Sequence, residues 1–211
     1  FATAKIGAVL VTVNTNYKVF EVEYLLRQSD SKALVLIDGL KDANYVDIVN
    51  ELCPTLKDCA PGAYENPMLP FLGDIIYAGK KETPAGMYGW SDLEKLGERI
   101  TDEQFRAVFD SVDPQDVTNM QYTSGTTGFP KGVMLTHYNI VNNGKCIGDC
   151  MKFTHEDRLC IPVPFFHCFG LVLAVMACLT HASSMVPIET YRPTEVMKAL
   201  QNEECTAVHG V

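Results

Sequence analysis

The sequence predicts a layered α/β fold, sheets flanked by helices, and three observations lead to it. Short β-branched apolar runs alternate with segments of helical periodicity. The runs are continuous rather than alternating, which suits strands covered on both faces, as in a parallel sheet. The composition, 47% hydrophobic and 20% charged over 211 residues, is that of a globular chain long enough for one sizeable core or two small lobes.

Taken in order, Ile6 to Asn14 (IGAVLVTVN) reads as a strand, Tyr17 to Asp30 as a helix and Lys32 to Asp38 as a second strand, together a strand, helix, strand unit. Proline and glycine accumulate from Cys53 to Trp90, which predicts a surface excursion around one short strand, FLGDIIYA. Two helix starts follow, Ser91 with Glu94 and Thr101 with Gln104, each matching the reciprocal cap that satisfies free amides at a helix N-terminus. Asp113-Pro114 closes the second helix, because proline disfavours helical geometry in the residue before it. The boundary between two sub-lobes falls there, 1–112 and 113–211. Beyond it the alternation resumes: a helix from His137 to Cys150, a strand DRLCIPVP, an apolar helix from Gly170, a strand SSMVPI, a helix PTEVMKALQNE and a strand TAVHGV.

Charge and cysteine usage narrow the function classes. A net charge of −9, from 17 basic against 26 acidic side chains, repels phosphate backbones and leaves no basic stripe for nucleic acid. The 8 cysteines include no C-x-x-C pair. Cys146 and Cys150 share one helix face by spacing, yet free cysteine is among the most buried residue types, and the set is read as structural thiols of a reduced, cytoplasmic protein. No basic start precedes an apolar segment as a secretory signal would require. The apolar run Gly170–Leu179 is about half the roughly 20 residues that span a bilayer. The chain opens on Phe1 and stops within an apolar run, which reads as a piece of a longer protein.

The densest chemistry lies in QYTSGTTGFPKGVMLTH, Gln121 to His137. Gly125 and Gly128 allow positive φ and a close backbone approach, while Ser124, Thr126 and Thr127 add hydroxyl donors, a surface suited to phosphate. A Walker loop requires G-x-x-x-x-G-K-[ST] feeding a helix, whereas here Pro130 precedes Lys131 and Gly132 follows it. Strand-like segments flank the loop on both sides, so no helix N-terminus faces the ligand. The hydroxyls and Lys131 must supply what a helix dipole otherwise provides. The bland reading is a glycine-rich hairpin tip.

The string YTSGTTGFPKGVMLTHYNI resembles the signature of the AMP-forming adenylating superfamily, which includes acyl-CoA synthetases, aryl-CoA ligases, luciferases and peptide-synthetase adenylation domains. The resemblance extends in order through VNTNYKVFEVEYLLRQSDSKALV, VPFFHCFG and the final HGV, essentially the whole chain. The threonine of SGTTG and the following TH.N are more like acyl-CoA synthetases. The fold implied is part of the large N-terminal domain of an adenylating enzyme.

That resemblance implies ATP-dependent activation of a carboxylic acid, a fatty acid foremost, to an acyl adenylate and then a coenzyme A thioester. It implies triphosphate binding by Thr123, Ser124, Gly125, Thr126, Thr127, Gly128 and Lys131, with the Thr123 hydroxyl beside Mg²⁺. His167, with Phe166 and Gly170, is implied to border the acyl and adenylate site, and Gly210 with Val211 to begin a segment lining the acyl pocket; Lys131 and His167 are the candidate catalytic residues. His137 and His155 are assigned structural places. The adenine and ribose segments, the hinge and the C-terminal domain with its adenylation lysine have no counterpart in the 211 residues, so this piece alone is expected to lack a complete active site and to carry sheet edges able to associate as a homo-oligomer. An aryl-CoA ligase or a peptide-synthetase adenylation domain stands as the alternative within the superfamily. A non-catalytic nucleotide-binding module is the alternative of another class.

Overall fold

The structure is a computed structural model that describes residues 1–123 and 128–210. In chain order these form α1 (Ala2–Lys5), β1 (Leu10–Val11), α2 (Val19–Gln28), β2 (Ala33–Leu36), the pair β3 (Gly39–Leu40) and β4 (Ala43–Asn44), α3 (Tyr45–Leu52), β5 (Asp74–Tyr77), β6 (Tyr88–Gly89), α4 (Trp90–Gly97) and α5 (Asp102–Ser111). There follow β7 (Val117–Thr123), β8 (Lys131–Thr136), α6 (His137–Met151), β9 (Arg158–Ile161), a π-helix (Phe169–Met176) running into α7 (Ala177–His181), β10 (Ser184–Pro187), α8 (Pro193–Asn202) and β11 (Ala207–Val208). The mixed α/β class is as the sequence predicts. Contacts divide the chain into two compact units, Val13–Ser111 and Phe1–Thr12 together with the residues from Val112 onward.

In the Val13–Ser111 unit, three parallel strands run in the order β2-β5-β6. The helix α2 forms where the apolar spacing indicates and buries Val22, Leu25 and Leu26. The strand, helix, strand reading is corrected in one respect: β1 and β2 flank α2 but do not share a sheet, because β1 pairs with β7 and β2 with β5. The proline-rich stretch is also more than a surface excursion. Leu56, Tyr64, Leu69, Leu72 and Met87 are all buried, so its apolar residues serve as core pegs between turns. The cap at α4 differs too, since the Asp92 carboxylate accepts from the Gly89 amide at 2.9 Å in place of the Ser91 and Glu94 pair. Thr101 and Gln104 do form the reciprocal cap, with bonds of 2.9 and 3.2 Å.

The other unit holds two sheets. In the first, β1 lies parallel to β7, and β7 pairs antiparallel with β8. In the second, β9 is central between β10 and β11, all parallel. Leu159, Cys160 and Ile161 of β9 are almost wholly inaccessible, which is why that run is continuously apolar. One side of β9 meets a core of Phe153, Val163, Ala174, Ala177 and Cys178. The apolar helix expected from Gly170 is a wider π-helical turn from Phe169, a geometry rare in proteins and frequent at functional sites. The π-helix and α7 pack on α6 through glycine: a Cβ at Gly144 would collide with Met176 of the former, and one at Gly148 with the His181 ring of the latter.

Asp157 ties the start of the β9 sheet together. Its carboxylate accepts from the Thr154 amide at 2.7 Å and the Thr206 hydroxyl at 2.8 Å, while its carbonyl accepts from the Ser184 amide. Those hydroxyl and amide donors, Thr206 foremost, hold the carboxyl below its ordinary value of 3.8. A carboxyl with a lowered folded value takes up protons more readily when unfolded, so its stabilisation is complete above about pH 5 and is lost as pH falls through the folded value. Urea midpoints are therefore expected to hold steady from about pH 7 to 5 and fall below about pH 4, with Asp157→Asn less stable at neutral pH and showing a shallower acid limb. Equal midpoints at neutral pH would remove Asp157 from this role.

Candidate functional site

The β7-β8 hairpin carries the signature. Register places Asn119 opposite Leu135, Gln121 opposite Val133 and Thr123 opposite Lys131. Side chains alternate along a strand, so Asn119, Gln121 and Thr123 share one face, and directly paired residues project to the same side. Along that face the polarity is graded by burial: Asn119 is 2% and Gln121 6% exposed, whereas Thr123 and Lys131 are solvent-accessible. The Asn119 amide donates to the Leu10 carbonyl at 2.8 Å and its oxygen accepts from Gln121 Nε2 at 3.0 Å. A buried amide pair thus locks the hairpin base to β1, and the hydroxyl and the ammonium emerge side by side at the tip.

The opposite face explains Gly132. It pairs with Tyr122, and a Cβ there would lie 2.9 Å from Met120 Sδ and 3.2 Å from the Tyr122 ring. Gly128 adopts φ +94 with nothing within 4 Å of a Cβ, so its requirement is backbone conformation rather than space. Ser124, Gly125, Thr126 and Thr127 lie outside the described residues. Asn119 and Gln121 were passed over in the sequence as part of a plain strand; the signal that could have found them is the polar period of two in N-M-Q-Y-T.

The second constellation is the turn from Val163 to Gly170. The His167 carbonyl accepts from the Gly170 and Leu171 amides at 3.0 Å, and His167 Nδ1 accepts from the Phe169 amide at 3.1 Å. With Nδ1 used as an acceptor, the neutral ring carries its proton on Nε2, and the ring is exposed. His167 is therefore at once a cap for the π-helix and a donor directed to solvent. Phe166 is half-buried beside it. Gly170 is buried, and any Cβ there would run into the Pro164 carbonyl and the Phe165 ring, so glycine is required by close packing at this turn.

His209, not singled out in the sequence, attaches β11 to this turn. Its ring stacks on Phe169 with centroids 5.0 Å apart. Its Nε2 lies 3.5 Å from Met151 Sδ, and Nδ1 is buried without a hydrogen-bond partner. Burial lowers the imidazole's pKa and keeps it neutral. Gly210 follows, exposed and with open space around a Cβ; Val211 lies outside the described residues. Among the described residues no hydrogen bond or ion pair links Thr123 or Lys131 to the His167 turn. A separate cleft of about 340 Å³, lined by residues from Tyr64 to Gly73, belongs to the Val13–Ser111 unit. Its Asn66 is already engaged by Leu52 and Met68, and it contains none of the residues selected by the sequence.

Residues 1–211 match the family model described as AMP-binding enzyme. The chain belongs to this family. It is 53% identical over 211 residues to the protein named "Putative acyl-CoA synthetase YngI" of Bacillus subtilis (strain 168), covering 100% of this chain and 38% of that protein. Over 213 residues it is 38% identical to acyl-CoA ligase SID4 of Ajellomyces capsulatus and 35% identical to the mitochondrial medium-chain acyl-CoA ligase ACSF2 of Danio rerio, covering 34% and 35% of those proteins. The chain thus spans little more than a third of the curated relatives it matches. In fold it resembles ATP-bound MatB from Rhodopseudomonas palustris (TM-score 0.65, 22% identity, 99% of this chain and 35% of that one). It also resembles the anthranilate CoA ligase AuaEII in complex with anthranoyl-AMP (TM-score 0.71, 19% identity, 98% and 36%).

The two glycines give opposite expectations. Gly170→Ala forces a shift of the turn against backbone and should cost about 1–3 kcal/mol of stability, whereas Gly210→Ala should leave the urea midpoint unchanged. Equal midpoints for Gly170→Ala and the unsubstituted protein would show that the turn relaxes without cost.

Proposed function

We propose that the protein to which this chain contributes activates a carboxylic acid with ATP, forming an acyl adenylate and pyrophosphate, and transfers the acyl group to the thiol of coenzyme A. The observation that carries this reading is the Thr123 and Lys131 pair across the hairpin, in a chain of the AMP-binding enzyme family. The names of the relatives support coenzyme A as acceptor; a fatty acid is our assignment of the substrate, with an aromatic or amino acid as the alternative.

In this reading Lys131 neutralises charge that builds on the leaving pyrophosphate, as a point charge on a flexible stem can follow it. Hydroxyls and amides of Thr123 to Gly128 hold the phosphates without the aid of a helix dipole. Positioning and charge neutralisation are the main means by which such transfers are helped. Mg²⁺ would supply further neutralisation of the phosphate charge when bound, and such an ion commonly takes few protein ligands. The exposed Thr123 hydroxyl fits that role, and no cluster of three or more metal-ligating side chains occurs among the described residues. His167, presenting Nε2–H to solvent, orients the substrate carboxylate or the adenylate, with Phe166, Gly170 and Gly210 beside it.

We further assign a reduced, cytoplasmic setting, supported by eight free cysteines. No helix among the described residues is long and apolar enough to cross a membrane.

The test is carboxylate-dependent exchange between ATP and pyrophosphate by the whole protein, over a panel of fatty, aromatic and amino acids. Exchange is expected with fatty acids, and Lys131→Ala should lower it by about 10²–10³, the loss typical of a donor aimed at a developing anion. Its fold should be intact, since Lys131 is exposed. ATP binding with no exchange for any carboxylate would favour a non-catalytic nucleotide-binding module.

A further inference from the structure

Two of the cysteines occupy an environment opposite to the buried one expected of them. Cys146 and Cys150 are exposed, whereas Cys53, Cys160 and Cys178 are buried and Cys59, Cys168 and Cys205 are half-buried. Both lie on α6, four residues apart, and therefore stack on one face. That face is solvated and polar, with Asn142, Asn143, Lys145 and Asp149 exposed around them and Lys145 paired to Asp149 at 2.7 Å. The opposite face is fixed by Gly144 and Gly148, whose close approach to Met176 and His181 allows no rotation of the helix. The thiols cannot turn inward.

The spacing decides what the pair can hold. Residues four apart on a helix have Cβ atoms about 5–6 Å apart, whereas a disulfide needs about 3.5–4.5 Å. A direct sulfur–sulfur bond would require the helix to open. One bridging atom does not: bonds of about 2.3 Å to each sulfur, as in zinc thiolates, span sulfurs up to about 4.6 Å apart, within reach of two outward-leaning thiols. The same four-residue spacing lets two histidines of one helix share one metal. Among the described residues no third ligand converges to make a metal cluster, so the site suits a soft centre that is satisfied by two sulfurs.

We propose that Cys146 and Cys150 form a dithiol site for a thiophilic centre of that kind, a monosubstituted trivalent arsenical being the stoichiometric match. With phenylarsine oxide two As–S bonds form and the As–O bonding is lost. The two thiol protons leave with the oxygen as water, and arsenic stays trivalent. The bridge closes one turn of α6 and needs no change in the helix backbone.

The native protein, treated with one equivalent of phenylarsine oxide and then digested with trypsin, tests this by mass. Cleavage after Lys145 and Lys152 releases CIGDCMK, which contains both thiols and no other cysteine. The bridged peptide is expected as the main product, reversed by 2,3-dimercaptopropanol but not by the same concentration of 2-mercaptoethanol. Cys146→Ser and Cys150→Ser should each lower arsenical uptake at least tenfold, and Cys168→Ser should leave it unchanged. Undiminished uptake in both single variants, or an unmodified CIGDCMK peptide in the unsubstituted protein, would overturn the proposal. These exposed positions lie outside the core, so the serine variants are expected to fold.

Discussion

The buried amide of Asn119 is the interaction on which the signature hairpin depends. It is 2% exposed and bonds both to the Leu10 carbonyl and to Gln121. A buried polar group left without partners costs about 1–3 kcal/mol, so this network strongly favours one register of β1, β7 and β8. A slip of one residue would send Asn119 and Gln121 to the other face and separate Thr123 from Lys131. Register at the base is thus converted into chemistry at the tip.

In the proposed role as a phosphate site, the tip has no helix to draw on. Phosphate sites commonly exploit a helix N-terminus, where free amides and the dipole favour an anion. Here both arms of the loop are strands, and α6 begins only after β8, capped internally by Thr136 and Asn139. Its first amides are further engaged by the Asp116 and Pro114 carbonyls. On the proposed reading the positive charge comes from a side chain, Lys131, at the first position of β8. The His167 turn follows a comparable economy: one imidazole caps the π-helix through Nδ1 and presents Nε2 outward.

Much of this was legible in the sequence for physical reasons. Helix α2 and α6 have strong periodicity, and α5 has a cap whose two partners are both local, Thr101 and Gln104. The signature is legible because its glycines and hydroxyls have few structural uses in that density. What escaped was non-local. No local pattern tells that β1 pairs with a strand more than a hundred residues away, or that Leu56, Tyr64 and Leu72 of a proline-rich stretch are core. The true cap of α4 lies two residues earlier because the Gly89 amide, not a hydroxyl, meets Asp92. The shared face of Cys146 and Cys150 was legible but their exposure was not, because cysteine is usually buried and only the helix phase set by Gly144 and Gly148 turns them outward. The candidate site is half legible in the same sense: Lys131 and His167 are marked by residue type, but Asn119, Gln121 and His209 act through tertiary contacts.

The central claim is that Thr123 and Lys131 act as one unit because the hairpin register sets them side by side. A double-mutant cycle measures this directly, using Thr123→Val, Lys131→Ala and the double variant in ATP to pyrophosphate exchange with the best carboxylate. Groups that share a ligand show coupling of about 0.5–3 kcal/mol, while independent sites add to within about 0.3–0.5 kcal/mol. The structure predicts clear coupling, the second substitution costing much less once the first is made. Strict additivity would contradict a shared phosphate site at this hairpin tip.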